Sequence, residues 1–75
     1  MTQAEIKNML IEYATEDVQT AKEEKMMSIC DTKHGVLDVE FIEGTFSIRG
    51  KEFNREGLTE AQAIEMIADS YIVEM

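Results

Sequence analysis

The segment VLDVEFIEGTFSIR, residues 36–49, constrains the fold of this chain more than any other. Apolar and polar residues alternate along it with a period of two, which is typical of β-strands. Glu43 and Gly44 separate the two alternating runs, and such a pair is typical of a tight hairpin turn. The segment therefore predicts two antiparallel strands joined by a two-residue turn.

Placing Glu43 and Gly44 in the turn fixes which residues face each other across the hairpin. The expected pairs are Phe41 with Phe46, Val39 with Ile48, Asp38 with Arg49, Glu40 with Ser47, and Ile42 with Thr45. The first two pairs lie on one side of the sheet and the other three on the opposite side. Aromatic, aliphatic and oppositely charged residues are matched, as cross-strand energetics favours. The side that carries the Phe and Val pairs should face the core.

Two capping-box patterns predict where helices begin, since Thr2 and Thr59 each precede a Glu or Gln by three residues. The first helix should run to about Glu24 and the second, with Ile64, Ile67, Ala68, Tyr71 and Ile72 inward, to about Val73. On the first helix the apolar side exceeds half the circumference, so we expect it to contact both the sheet and the second helix. The pattern predicts a first strand over Met26 to Cys30, followed by a loop over residues 31–35. After the hairpin it predicts a brief fourth strand at Glu52-Phe53 and a loop over residues 54–57.

These elements predict a single α+β domain over residues 1–75. Its architecture should be a two-layer sandwich of order α-β-β-β-α, with an antiparallel sheet of three or four strands. Because the other face of the sheet is mostly polar, both helices should cover the same face.

The chain has 75 residues, and a core of this size rarely contributes more than about 3–5 kcal/mol without support. One Cys excludes an internal disulfide, and one Cys with one His does not make a four-ligand zinc site. Cys30 lies in an apolar run, where a free thiol is usually a small buried hydrophobe. Unpaired cysteine usage favours a reducing, cytoplasmic location, and neither a signal peptide nor a membrane span is expected.

The formal net charge is −9, from 7 basic and 16 acidic residues. Such a charge repels phosphate backbones and anionic lipids, so direct binding to nucleic acids or membranes is not expected. A protein with a basic surface is the partner that this charge favours.

Catalytic and metal-binding patterns are weak. Cys30 and His34 form a conceivable nucleophile and base, but a loop histidine beside a strand cysteine is far more often incidental. Asp38 and Glu40 project from one strand face, where a solvated, Arg-paired face is the more common arrangement than a cation site. No calcium loop, phosphate-binding glycine loop or dinucleotide fingerprint occurs. We therefore expect neither an enzyme nor a cofactor or metal.

The strongest candidate for function is a row of glutamates on one face of the first helix, here called the acidic ridge: Glu5, Glu12, Glu16 and Glu23. Such a face is most often only solvated. The second helix adds Glu65 and Asp69, which repel each other at a spacing of four, and no basic residue follows Arg55. We take these six acidic residues as the candidate partner-binding residues.

Ala63, Met66 and Val73 lie on the side of the second helix away from its expected core stripe. An exposed apolar patch on a domain with a small hydrophobic core is a candidate dimer contact.

In small size, acidity and mixed α/β order the chain is similar in style to phage-encoded inhibitors of restriction or CRISPR nucleases. The likeness extends over no aligned motif and assigns no residue roles. The sequence thus favours a non-enzymatic module that occupies a nucleic-acid-binding site on a partner protein. The alternative is a self-associating structural domain whose acidity serves solubility.

Overall fold

A computed structural model describes residues 2–73 of the chain. The elements follow the order α-β-β-β-β-α and are α1 (Gln3–Glu24), β1 (Met26–Thr32), β2 (Gly35–Ile42), β3 (Thr45–Gly50), β4 (Phe53–Leu58) and α2 (Glu60–Ser70). The four strands form one open antiparallel sheet in the order β1-β2-β3-β4. The predicted α+β class is confirmed, and the sheet has four strands.

The central hairpin, β2 and β3, has the predicted register in all of its pairs, including Phe41 with Phe46 and Asp38 with Arg49. Glu43 and Gly44 both adopt positive φ, 49° and 83°. Positive φ at both central residues is what a two-residue turn needs to match the right-handed twist of the strands.

Both predicted helix starts are confirmed, because Thr2 and Thr59 each form a complete capping box. The second helix ends at Ser70, earlier than the predicted Val73. There the chain becomes extended and joins the sheet: the Ser70 carbonyl accepts from the amide of Lys33, and Tyr71 forms an isolated bridge with Thr32. β1 itself continues past Cys30 to Thr32, which pairs with Gly35 of β2, so the predicted loop over residues 31–35 is too long.

The prediction of a loop over residues 54–57 is wrong, because β4 continues through them. Asn54 to Gly57 are exposed and carry no apolar alternation, but β4 obtains its backbone partners from β3. Its register shifts between the partners of Ile48 and Phe46, and Gly57 has a φ of 66° in this bulge.

The core lies between the sheet and the two helices, with α1 packed over β1 and β2 and α2 over β3 and β4. Its largest fully buried side chains are Phe46, Leu37, Ile48, Ile67, Val18 and Val39. The helices therefore share the predicted face of the sheet. The inward face of α2 includes Ile67 and Ala68, as predicted, but it is rotated toward Ala63 and Ser70, which are also buried. Ile72 lies beyond the end of the helix and is 55% exposed, so its predicted inward position is wrong.

Candidate partner-binding surfaces

The acidic ridge is fully exposed along α1, as the sequence predicts for a surface feature. Glu5 and Glu23 are separated by a helical rise of about 27 Å, and the ridge residues lie within about 40° of one another around the axis. The buried side of the same helix is formed by Ala14, Val18 and Ala21. The ridge thus points away from the sheet, on a helix whose N-terminus is fixed by its cap.

Within residues 2–73, the ion pairs are Lys22 with Glu60 at 3.1 Å and Arg49 with Glu56 at 3.3 Å, and neither uses a ridge carboxylate. Lys22 pairs with Glu60 of α2, and its hydrogen bond and positive charge lower the pKa of that carboxyl group. Among the ridge residues, Glu5 accepts from the amide and hydroxyl of Thr2 in the capping box. Within the described residues, the ridge carboxylates are therefore not neutralised by ion pairs.

Glu65 and Asp69 are also exposed but belong to a separate part of the surface. They lie one turn apart on α2, and both side chains border two clefts, one on each side. Neither takes part in the ion pairs found in the described part of the chain. The structure therefore divides the six predicted partner-binding residues between the ridge on α1 and this pair on α2.

The larger cleft, here called the interhelical groove, lies between α1 and α2 and has a volume of about 640 Å³. Its lining combines apolar side chains of both helices with a few polar ones: Gln3, Ile6, Lys7, Leu10, Ile11, Thr15, Ala61, Ile64, Glu65, Ala68, Asp69 and Val73. The sequence-based interpretation missed this groove. Its signal was the wide apolar side of α1, which was assigned entirely to the sheet and the second helix.

The smaller cleft, of about 360 Å³, lies between β4 and α2. The His34 ring stacks on Phe53 with 4.2 Å between ring centroids, and the Arg55 guanidinium lies 4.8 Å from the Phe53 centroid. Glu65 and Asp69 border this cleft as well, and Met66 also lines it. The His34 ring thus packs against an aromatic ring at one end of this cleft.

The predicted self-association residues do not form one exposed patch. Ala63 is fully buried, and its expected place on the outer side of the helix is wrong, because α2 is rotated relative to the predicted face. Met66 packs against the core at the smaller cleft, whereas Val73, 40% exposed, borders the interhelical groove. Self-association itself stays a prediction, without the surface assigned to it.

Cys30 is exposed, so the expectation of a buried thiol is wrong. Buried Ile29 precedes it in β1, and alternation turns the next side chain to the outer face of the sheet. No hydrogen bond joins Cys30 to His34 among the described residues. Asp38 accepts a hydrogen bond from the Ser28 hydroxyl at 2.7 Å. Residues 2–73 contain no cluster of three or more His, Cys, Asp or Glu side chains arranged to hold a metal ion.

Comparisons with protein-family models, with curated proteins and with solved structures found no significant match to this chain. In the described part of the chain, neither helix is long and apolar enough to cross a membrane. Any assignment of function therefore depends on the surfaces themselves.

Proposed function

We propose that this protein is a non-enzymatic binding module whose acidic ridge occupies a basic, nucleic-acid-binding surface on a partner protein. The observation that carries the proposal is that the ridge glutamates are exposed on one face of α1 and form no ion pair within residues 2–73. A protein that needed acidity for solubility alone would gain stability by pairing such carboxylates with its own lysines. Here Lys22 pairs across to Glu60 instead.

The ridge resembles one edge of a nucleic acid in sign and in linear order. Its charges are on average roughly 9 Å apart along the helix axis, whereas duplex DNA carries one charge per about 1.7 Å when both strands are counted. A partner site built for phosphates would therefore meet a rigid but sparser row of anions. Such a contact gains most from electrostatic steering, so association should be fast and should weaken as salt is added.

Within this proposal, a cytoplasmic inhibitor of phage or mobile-element type is the finer role we favour. Small size, a net charge of −9 and a rigid anionic helix suit a protein that competes with nucleic acid for an enzyme. The competing role is a self-associating structural domain, and the patch that the sequence predicts for it is not fully at the surface, because Ala63 is in the core.

The first test is charge reversal on the ridge. The partner is captured from host lysate by the full chain at low and high salt, purified, and its affinity measured for the Glu12→Lys/Glu16→Lys variant. We expect a loss of about tenfold or more at low salt, because two attractions become repulsions at the contact. The loss should shrink at high salt, where exposed charges are screened within about 3 Å at 1 M.

The matched control is Glu43→Lys/Glu52→Lys, which changes the net charge equally at two exposed turn positions of the sheet. Its affinity should stay close to that of the unmodified protein. Equal losses in both variants would show that only net charge matters, and an unchanged ridge variant would refute the proposal. Added duplex DNA or RNA should displace the protein from the captured partner; a failure to compete would contradict the claim that a nucleic-acid site is occupied.

A further inference from the structure

We infer that the interhelical groove is a docking site for a short amphipathic helix of another protein. The docked helix would carry apolar residues on one side and Lys or Arg along the edge that meets Glu65 and Asp69. This inference does not rest on the acidic ridge, whose residues do not line the groove.

The groove exists because the two helices differ in length. α1 has 22 residues and α2 has 11, so that their axes extend about 33 Å and about 17 Å. The shorter helix cannot cover the whole apolar side of the longer one. Ile6, Leu10 and Ile11, in the first half of α1, remain half-buried at the groove.

The length of the groove matches that of a helix of about three turns. Its α1 wall runs from Gln3 to Thr15, a rise of about 18 Å. Apolar side chains recur along this wall and along α2, where Ile64 and Ala68 are one turn apart. A docked helix fills such a groove with apolar residues at positions i, i+4 and i+7.

The backbone chemistry of the walls favours a helical occupant over an extended one. Both walls are helices whose backbone groups are largely hydrogen-bonded within themselves, so the groove offers no sheet edge to which a strand could add. A helix satisfies its own backbone and needs only side-chain contacts from the groove.

Charge determines which amphipathic helix fits. Glu65 and Asp69 on the α2 wall are exposed and lack an ion-pair partner in the described part of the chain. Lys7 lies on the α1 wall, so cations of the occupant are favoured along the α2 edge and disfavoured along the other. A second copy of this chain is a poorer occupant, because it brings a net charge of −9 against the same charge.

The test uses a synthetic amphipathic peptide of about 14 residues, four helical turns, with leucines at i, i+4, i+7 and i+11 and arginines along one flank. Two matched peptides replace the arginines with glutamine or with glutamate. Binding to the full chain is measured by calorimetry, and the site is mapped by amide chemical shifts in NMR spectra. We expect shifts at Leu10 and Ile64, and affinity that falls in the order Arg, Gln, Glu.

Two protein variants separate the groove from general attraction to an acidic protein. Glu65→Lys/Asp69→Lys should weaken binding of the Arg peptide about tenfold or more, whereas Glu43→Lys/Glu52→Lys, with the same change in net charge at exposed turn positions, should leave it within about threefold. Ala61→Arg, at an exposed groove position, should also weaken binding while leaving the dispersed NMR spectrum of the folded chain intact.

Several outcomes would overturn the inference. They are equal weakening by both double variants, peptide shifts that map to the ridge, a Gln peptide that binds as well as the Arg peptide, or no binding of any peptide. Concentration-dependent self-association that Ala61→Arg abolishes would identify a second copy as the occupant instead.

Discussion

Replacing Gly50 with alanine tests how the central hairpin is packed against the turn between β1 and β2. Gly50 ends β3, and a Cβ at this position would lie 2.7 Å from Leu37 Cδ2 and 3.1 Å from the His34 carbonyl oxygen. Leu37 is fully buried, so its side chain has little room to move aside. The same His34 oxygen accepts a hydrogen bond from the Lys51 amide at 3.3 Å, which the added methyl group would disturb.

The expected cost follows from the overlap. Inserting a methyl group into a packed core destabilises by about 1–3 kcal/mol, and a domain of this size has only about 3–5 kcal/mol to lose. Leu37→Val removes the Cδ2 atom at a cost of about 1 kcal/mol. In the Leu37→Val background, Gly50→Ala should lower the free energy of unfolding by less than half of what it does in the parent protein, because only the contact with His34 remains.

Urea unfolding followed by circular dichroism measures all four proteins of this double-mutant cycle, and the denaturant dependence should stay constant if only stability changes. Gly44→Ala is the control. Apart from its chain neighbours, no atom of residues 2–73 lies within 4 Å of its would-be Cβ, and its φ of +83° makes the cost one of backbone strain. That cost should be the same with Leu or Val at position 37. A cost for Gly50→Ala that is also the same in both backgrounds would refute the packing argument.

Two further predictions concern Tyr71 and Cys30. Burial and the hydrogen bond that its hydroxyl donates to Asp17 raise the pKa of Tyr71. The stability that this bond contributes is therefore fully present below the ordinary tyrosine pKa of about 10. It is lost as the pH rises above that value, because the unfolded chain then loses its proton more readily than the folded one. Tyr71→Phe should lower the free energy of unfolding at pH 7 by about 0.5–1.5 kcal/mol and remove this alkaline loss in melts between pH 7 and 11, and a variant as stable as the parent at pH 7 would contradict it. Cys30, being exposed, should react fully with a chromogenic disulfide reagent in the native protein, whereas a thiol that reacts only in denaturant would contradict its placement on the outer face.

The hairpin and the helix starts could be predicted because their signals are local. Alternation fixes the two faces of β2 and β3, the Glu43-Gly44 turn fixes their register, and each capping box closes within four residues. Strand β4 has no such signal. Asn54, Arg55 and Glu56 are exposed, and they are a strand because β3 offers them backbone partners.

Two misplacements have different causes. The outward position of Cys30 follows from the sequence, since alternation with buried Ile29 turns its side chain to the other face of the sheet. This alternation outweighs the general tendency of free thiols to be buried. The rotation of α2 was not predictable from its own residues. At its end, Ser70 and Tyr71 contact Lys33 and Thr32, which is a contact between distant parts of the chain that no local pattern predicts.

The interhelical groove results from the different lengths of α1 and α2, and sequence patterns do not determine how much of α1 is left uncovered. A wide apolar side on α1 indicates two packing partners, but it does not say how far along the helix each partner extends. Since α2 ends after 11 residues, the fold of the single chain leaves Ile6 and Leu10 only half-buried. Covering them would bury further apolar surface at about 25 cal/mol per Å², and a ligand that binds only the folded state raises its stability. Glu65 and Asp69, which form no ion pair within residues 2–73, border this apolar groove, so the proposed partner would stabilise the folded state by supplying both a hydrophobic face and cations.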